Sequence, residues 1–197
     1  MKWIVITRPD FFHEEAAYID RLFLAGLDYL HLRKPGSTPD PCCRLLDAID
    51  SRWYPRIIVH DHFELCRTYA LRGIHLNHRH PQAPMGFKGH VSCSCHSISE
   101  AAERKDACDY IFLSPIFDSI SKQGYAAAYT NEELCAAARQ GIIDSKVIAL
   151  GGVTPDRLPL LQEWNFGGAA FLGAVWNEMG MPQTNTFLHA LETAIHM

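Results

Sequence analysis

Eight short runs of β-forming residues recur along the chain, each parted from the next by a stretch with helical spacing or turn chemistry. The runs are Trp3–Thr7, Tyr29–Leu32, Ile57–Val59, Ile74–Leu76, Val91–Ser94, Tyr110–Leu113, Val147–Leu150 and Ala169–Leu172. Strands alternating with amphipathic helices specify a parallel sheet with crossover connections. Several runs are apolar at nearly every position, as strands are when helices cover one face and a barrel interior the other. Eight such units predict an α/β chain closed into one (β/α)8 (TIM-type) barrel, and 197 residues lies near the lower limit for that fold. A single domain over residues 1–197 is expected.

Helical spacing appears over His13–Ala25, Asp40–Ile49, Phe63–Leu71, Ser99–Arg104, Asn131–Arg139, Pro155–Glu163 and Thr184–His196. Thr154-Pro155 reads as an N-cap followed by proline at the first helical position. Asn77–Gly89 carries prolines and no helical period, so the fourth helix is expected to be degenerate or replaced by a loop.

The formal net charge is −4 with no basic block, which leaves no nucleic-acid footprint. The opening MKWIVITRPDFF is too brief an apolar run for a signal peptide or a membrane span, and a cytoplasmic location is expected. Seven cysteines without CxxC spacing fit a reducing compartment better than a disulfide framework. Cys93 and Cys95 share a strand face and are expected to pack it.

In barrels of this kind chemistry sits at the C-terminal strand ends. Titratable groups crowd those ends here: His31-Leu32-Arg33-Lys34, His60-Asp61-His62, Asn77-His78-Arg79-His80, Ser94-Cys95-His96 and the run Ser119-Ile120-Ser121-Lys122. After the last two strands come Gly151-Gly152 and Leu172-Gly173, where bare backbone amides beside a helix start suit a phosphate. Glycine also simply permits tight turns, but both turns at these two strands favour phosphate. Arg33 and Lys122, with the hydroxyls of Ser119 and Ser121, suit a second phosphoryl group or a diphosphate. His31, His60, His75 and His96 are candidate acid–base groups, with His31 and His60 best placed at adjacent strand ends. Convergence of His60, Asp61, His62, His78 and His80 on a transition metal is a weaker alternative, since their spacing crosses two strands.

At these residues the chain resembles the thiamin-phosphate synthases and their TenI-type thiazole tautomerase relatives, over nearly its whole length from WIVIT to AAFLGAV. HLRK resembles a Gln-x-Arg segment, with His31 in the Gln place, Arg33 retained, and Lys34 beside the expected lysine, which is Pro35. VHDHFELC resembles Asn-Asp-Arg-Val-Asp-Leu-Ala, with His60 in the Asn place and Asp61 on the magnesium-holding Asp; the second acidic ligand falls on His80. VSCSCHSISEA puts Ser94 on a substrate-contacting serine, and DYIFLSPIFDSISK puts Ser119, Ser121 and Lys122 on Thr-x-Thr-Lys. VIALGGVTPD and GGAAFLGAV match the two phosphate turns, Gly151-Gly152 and Leu172-Gly173.

The resemblance implies an enzyme of thiamin biosynthesis acting on thiazole phosphate. Synthases of the family couple it to hydroxymethylpyrimidine diphosphate with magnesium; tautomerases isomerise the thiazole. It makes His31, Arg33, His60 and Lys122 the catalytic candidates, and Lys34, Ser94, Ser119, Ser121 and the two phosphate turns the substrate contacts. Asp61 is the implied metal ligand. Pro115 stands where the tautomerases carry a histidine, and losing one of two carboxylates weakens a hard-oxygen magnesium site. The alternative is a non-catalytic thiazole-phosphate carrier or regulator. Small phosphorylated molecules are the expected partners. Barrels of this size commonly self-associate, and the sequence identifies no interface.

Overall fold

The computed structural model describes residues 1–118 and 127–196. Eight strands, β1 (Lys2–Ile6), β2 (Tyr29–Leu32), β3 (Ile57–Val59), β4 (Gly73–Leu76), β5 (His90–Cys95), β6 (Tyr110–Leu113), β7 (Val147–Leu150) and β8 (Gly168–Phe171), pair in sequence order. All neighbours are parallel, and β8 returns to β1 through pairs such as Trp3 with Ala169. The barrel expected from the eight runs is therefore closed, with strand bounds within one or two residues of those read from the sequence.

Helices follow as α1 (Glu15–Leu24), α2 (Pro39–Ala48), α3 (Glu64–Thr68), α4 (Ile98–Arg104), α5 (Asn131–Arg139), α6 (Leu158–Glu163), α7 (Gly173–Trp176) and α8 (Thr184–His196). No helix lies between β4 and β5, as the prolines of 77–89 implied. Two helices are shorter than expected. The third ends at Thr68 because Tyr69 leaves helical geometry and Ala70 turns left-handed at φ 51°. The sixth begins only at Leu158: residues Pro155–Arg157 make a 3-10 turn, and Pro159 has no N–H to carry an earlier α-helical ladder. Thr154 occupies the cap position, but its hydroxyl is buried without a partner, so the capping bond read from Thr154-Pro155 does not form. Working caps lie elsewhere. Thr130 and Glu133 close a reciprocal capping box on α5, and the Ser97 hydroxyl accepts from Glu100 N on α4.

Alternation along the strands divides the core in two. Outward residues such as Trp3, Val5, Leu30, Ile57, Ile74 and Val147 pack against the helices. Inward residues Ile4, Ile6, Ile58, Tyr110, Phe112, Ile148 and Ala170 fill the barrel axis. A barrel of eight strands leaves room inside for side chains only, so the interior is packed rather than hollow. Cys93, Cys95 and Cys108 are fully or nearly buried together; against a lowering contact from Cys108, the Cys95 thiol and burial push Cys93 up to about 12, so this cluster packs the barrel wall as a set of protonated thiols. Among the described residues no helix is long and apolar enough to cross a membrane.

Candidate active site

The same two-residue period that puts isoleucines inside the lower barrel puts histidines inside its upper half. Tyr29 and His31 share a face of β2, His60 follows β3, and His75 lies within β4. His31 Nδ1 lies 2.9 Å from His60 Nε2, and His31 Nε2 lies 2.6 Å from the Tyr110 hydroxyl. His75 is held between Ser92 Oγ (2.8 Å) and Ser94 Oγ (2.9 Å), and its ring stacks on His60 with centroids 4.2 Å apart. All three imidazoles are buried. Burial, with each other's proximity second, lowers His31 and His60 well below the ordinary histidine value, and burial pushes His75 down to about 3. They are neutral at pH 7 and linked in hydrogen-bonded chains that run through Tyr110 and the two serines.

The acid–base expectation for His31 and His60 is thus revised in place and state: they meet, but beneath the mouth and uncharged. Ser94 meets His75 rather than standing alone at the rim. His31, His60 and His75 offer ligand atoms within 4.8 Å of one another, the one such group among the described residues. The other expected metal group does not assemble: His62 Nε2 turns to Ser37 O at 2.8 Å, and His78 is exposed.

Above the histidines the mouth has two polar sectors, one charged and one of bare backbone amides. On the β2–β4 side, Arg33 is half-buried, its charge kept despite burial because a guanidinium does not deprotonate in proteins. Asp61, at the end of β3, accepts from Arg79 Nε and Nη2 at 3.0 Å each, and lies 3.2 Å from His80 Nε2. A cavity of about 440 Å³ opens beside them, lined by Ser37, Asp61, Phe63, Arg79 and His80 among others. On the opposite side, Gly151 (φ 97°) and Gly152 (φ 63°) lie under the loop that leaves β6. A Cβ on Gly152 would stand 2.2 Å from Asp118 O, so glycine is required there for both φ and space. Among the described residues, the N–H groups of Gly151, Gly152, Gly173 and Ala174 have no hydrogen-bond acceptor, which leaves them available to an anion. Leu172 breaks from the strand just before them. Ser119, Ser121 and Lys122 lie outside the described residues.

Lys34 requires a correction. Its ammonium does not face the mouth: it donates to Arg8 O (2.9 Å), Asp10 O (2.7 Å) and the Glu15 carboxylate (2.6 and 2.8 Å). Three N–H donors are spent on four acceptors, so none is left for a substrate.

The set around Asp61 does not fit the magnesium that the resemblance implies. Mg²⁺ needs hard oxygen ligands in octahedral order. Here there is one carboxylate, both its oxygens are engaged by a guanidinium, and the remaining neighbour is an imidazole. Neither Arg79 nor Tyr110 was singled out by sequence. Period two along β6 gives the inward face of Tyr110, whereas the Arg79 contact spans 18 residues and emerges only once β3 and β4 lie side by side.

A closed parallel barrel with unpaired backbone amides after its last two strands and cations across its mouth has the layout of a phosphate-handling (β/α)8 enzyme. Residues 3–175 match the family model described as thiamine monophosphate synthase. The chain is 31% identical over 166 residues to the thiamine-phosphate synthase of Levilactobacillus brevis, covering 77% of this chain and 76% of that one. It is 27% identical over 159 residues to that of Halalkalibacterium halodurans, covering 75% and 74%. Among solved structures, thiamine phosphate pyrophosphorylase from Bacteroides thetaiotaomicron superposes with a TM-score of 0.84 at 45% identity, over 98% of this chain and 94% of that one. The chain belongs to the thiamine monophosphate synthase family.

Proposed function

We propose that this thiamin-biosynthesis enzyme couples thiazole phosphate to hydroxymethylpyrimidine diphosphate, with the monophosphate on the Gly151-Gly152 and Gly173 amides and the diphosphate toward Arg33. One observation carries the reading. Anion-binding groups occupy two separate sectors of one mouth, after β7–β8 and after β2–β4, and in an eight-strand ring β3 and β7 are diametrically opposed. A single phosphorylated ligand needs one such sector; joining two needs both. In the coupling, the bond from the pyrimidine methylene to the diphosphate oxygen breaks with its electron pair, and the thiazole nitrogen attacks the resulting cation. The protein's task is then to orient two ligands and hold the departing charge, with little acid–base work.

Isomerisation and a carrier role are less well supported. Isomerisation needs a proton carrier in reach, whereas His31, His60 and His75 are buried and neutral, His96 is exposed with its Nδ1 beside Ser114, and Pro115 fills the tautomerase position. A carrier role has no need of the cationic sector beside the amide one, and the relatives bear synthase names.

Incubation with both substrates and divalent cations should form thiamin phosphate well above an enzyme-free control; thiazole phosphate binding with no product would sink the coupling reading. Arg33→Ala should weaken hydroxymethylpyrimidine diphosphate binding by about tenfold or more, the scale of a charge-assisted pair, while thiazole phosphate affinity stays within about twofold. Equal losses for both ligands would contradict the two-sector assignment.

A further inference from the structure

We propose that Arg79, docked on Asp61, supplies the positive charge that holds the diphosphate leaving group, so that diphosphate binding at this mouth needs no divalent metal. The inference rests on the coupling reading and adds to it the identity of the cation.

The β3–β4 corner is built to present that guanidinium. Asn77, just past β4, donates from Nδ2 to His60 O at 2.9 Å, tying the ends of β3 and β4 together. Its Oδ1 accepts from the backbone N–H of Arg79 (2.9 Å) and of His80 (3.2 Å), and Asn77 and His80 exchange backbone hydrogen bonds at 3.0 and 3.1 Å. The turn therefore fixes Arg79 and His80 over Asp61, which is itself nearly buried, with a side-chain exposure of 12%.

A fork-to-fork contact uses the Nε–H and one Nη2–H of Arg79. The second Nη2–H and both Nη1 hydrogens remain, a planar set of donors matched to phosphoryl oxygens. Arg79 is 41% exposed and lines the cavity, which leaves those donors open to solvent or a ligand. Arg33 stands close enough to Arg79 for the two charges to act on each other. Asp61 offsets one of them and keeps the Arg79 guanidinium in place before the ligand arrives. A divalent ion in the same position would have to displace Arg79 from both carboxylate oxygens while gaining no second carboxylate.

The chemistry balances without a metal. When the methylene–oxygen bond breaks, the electron pair stays on the diphosphate, whose added charge falls on Arg79 and Arg33; the thiazole nitrogen supplies the pair for the new bond, and nothing is oxidised or reduced.

The decisive measurement is calorimetric titration of inorganic diphosphate into the full chain, once in EDTA and once with excess magnesium. Wild type should bind in EDTA with an affinity within about threefold of the magnesium value. Arg79→Ala should lose about tenfold or more in EDTA, with Arg79→Lys in between, since it keeps the charge but not the fork. A circular dichroism melt of each variant separates lost binding from lost folding. Binding only with magnesium, an unchanged Arg79→Ala affinity in a folded variant, or no diphosphate binding at all would each overturn the proposal. Coupling that occurs but strictly requires magnesium would leave the functional reading intact and remove this one. Arg79-dependent diphosphate binding without coupling would do the reverse.

Discussion

Acidifying from pH 7 to pH 5 is expected to strip the protein of a large part of its stability, with no carboxylate needed to explain the loss. An unfolded histidine takes up its proton near pH 6.5, whereas folded His75 resists until about 3 and His31 and His60 are likewise held well below their ordinary value by burial. Between those limits the unfolded state binds more protons than the folded one, so stability is full above pH 6.5 and falls as pH drops toward the folded values. At pH 5 the cost is about 2 kcal/mol for His75, with His31 and His60 acting in the same direction, against a total of ~5–15 for a typical domain. Urea midpoints at pH 7, 6 and 5 measure it. His75→Gln, which keeps polar ends for Ser92 and Ser94, should reduce the slope without abolishing it. A midpoint that does not move between pH 7 and 5 would mean the histidines are not held neutral as a group.

Removing the partner of Lys34 should be nearly as severe. Glu15 and Lys34 are each 1% exposed at their side chains, 2.6 Å apart. Burial raises Glu15 and lowers Lys34 in spite of their attraction, so the pair is held in a place where either charge alone is poorly tolerated. Glu15→Ala leaves an ammonium with only two carbonyls and should cost about 3–5 kcal/mol; Glu15→Leu combined with Lys34→Met should recover most of that, since a packed apolar pair often matches a buried ion pair. Denaturant melts of the single and double variants decide it. A single-variant loss under about 1 kcal/mol, the scale of an exposed pair, would mean solvent reaches the site.

The barrel was legible because its signals are local. Each strand carries its own β-rich run, and the prolines of 77–89 announce a missing helix within that segment alone. Crowding of polar residues at one end was legible for the same reason, since every strand contributes its own. What could not be read were the pairings. Glu15 looks like an ordinary acidic residue in the first turn of a helix, where the dipole welcomes it; only the fold shows Lys34 reaching it from the next strand's end. Arg79 and Asp61 meet through strand register. His31 and His60 had the right neighbourhood but the wrong depth, because strand parity gives the face of a residue and not how far below the rim it lies.

Closure of the ring has a consequence for discrimination between ligands. The turns after β7–β8 and the cations after β2–β4 are joined by an unbroken circuit of backbone hydrogen bonds, so the gap between them is set by strand number and tilt and not by loop motion. Such a mouth acts as a caliper. Under the coupling reading, each ligand is held at its phosphate end and the two reacting atoms must meet across that gap, so thiazole phosphates differing by one methylene between phosphate and ring should couple at different rates.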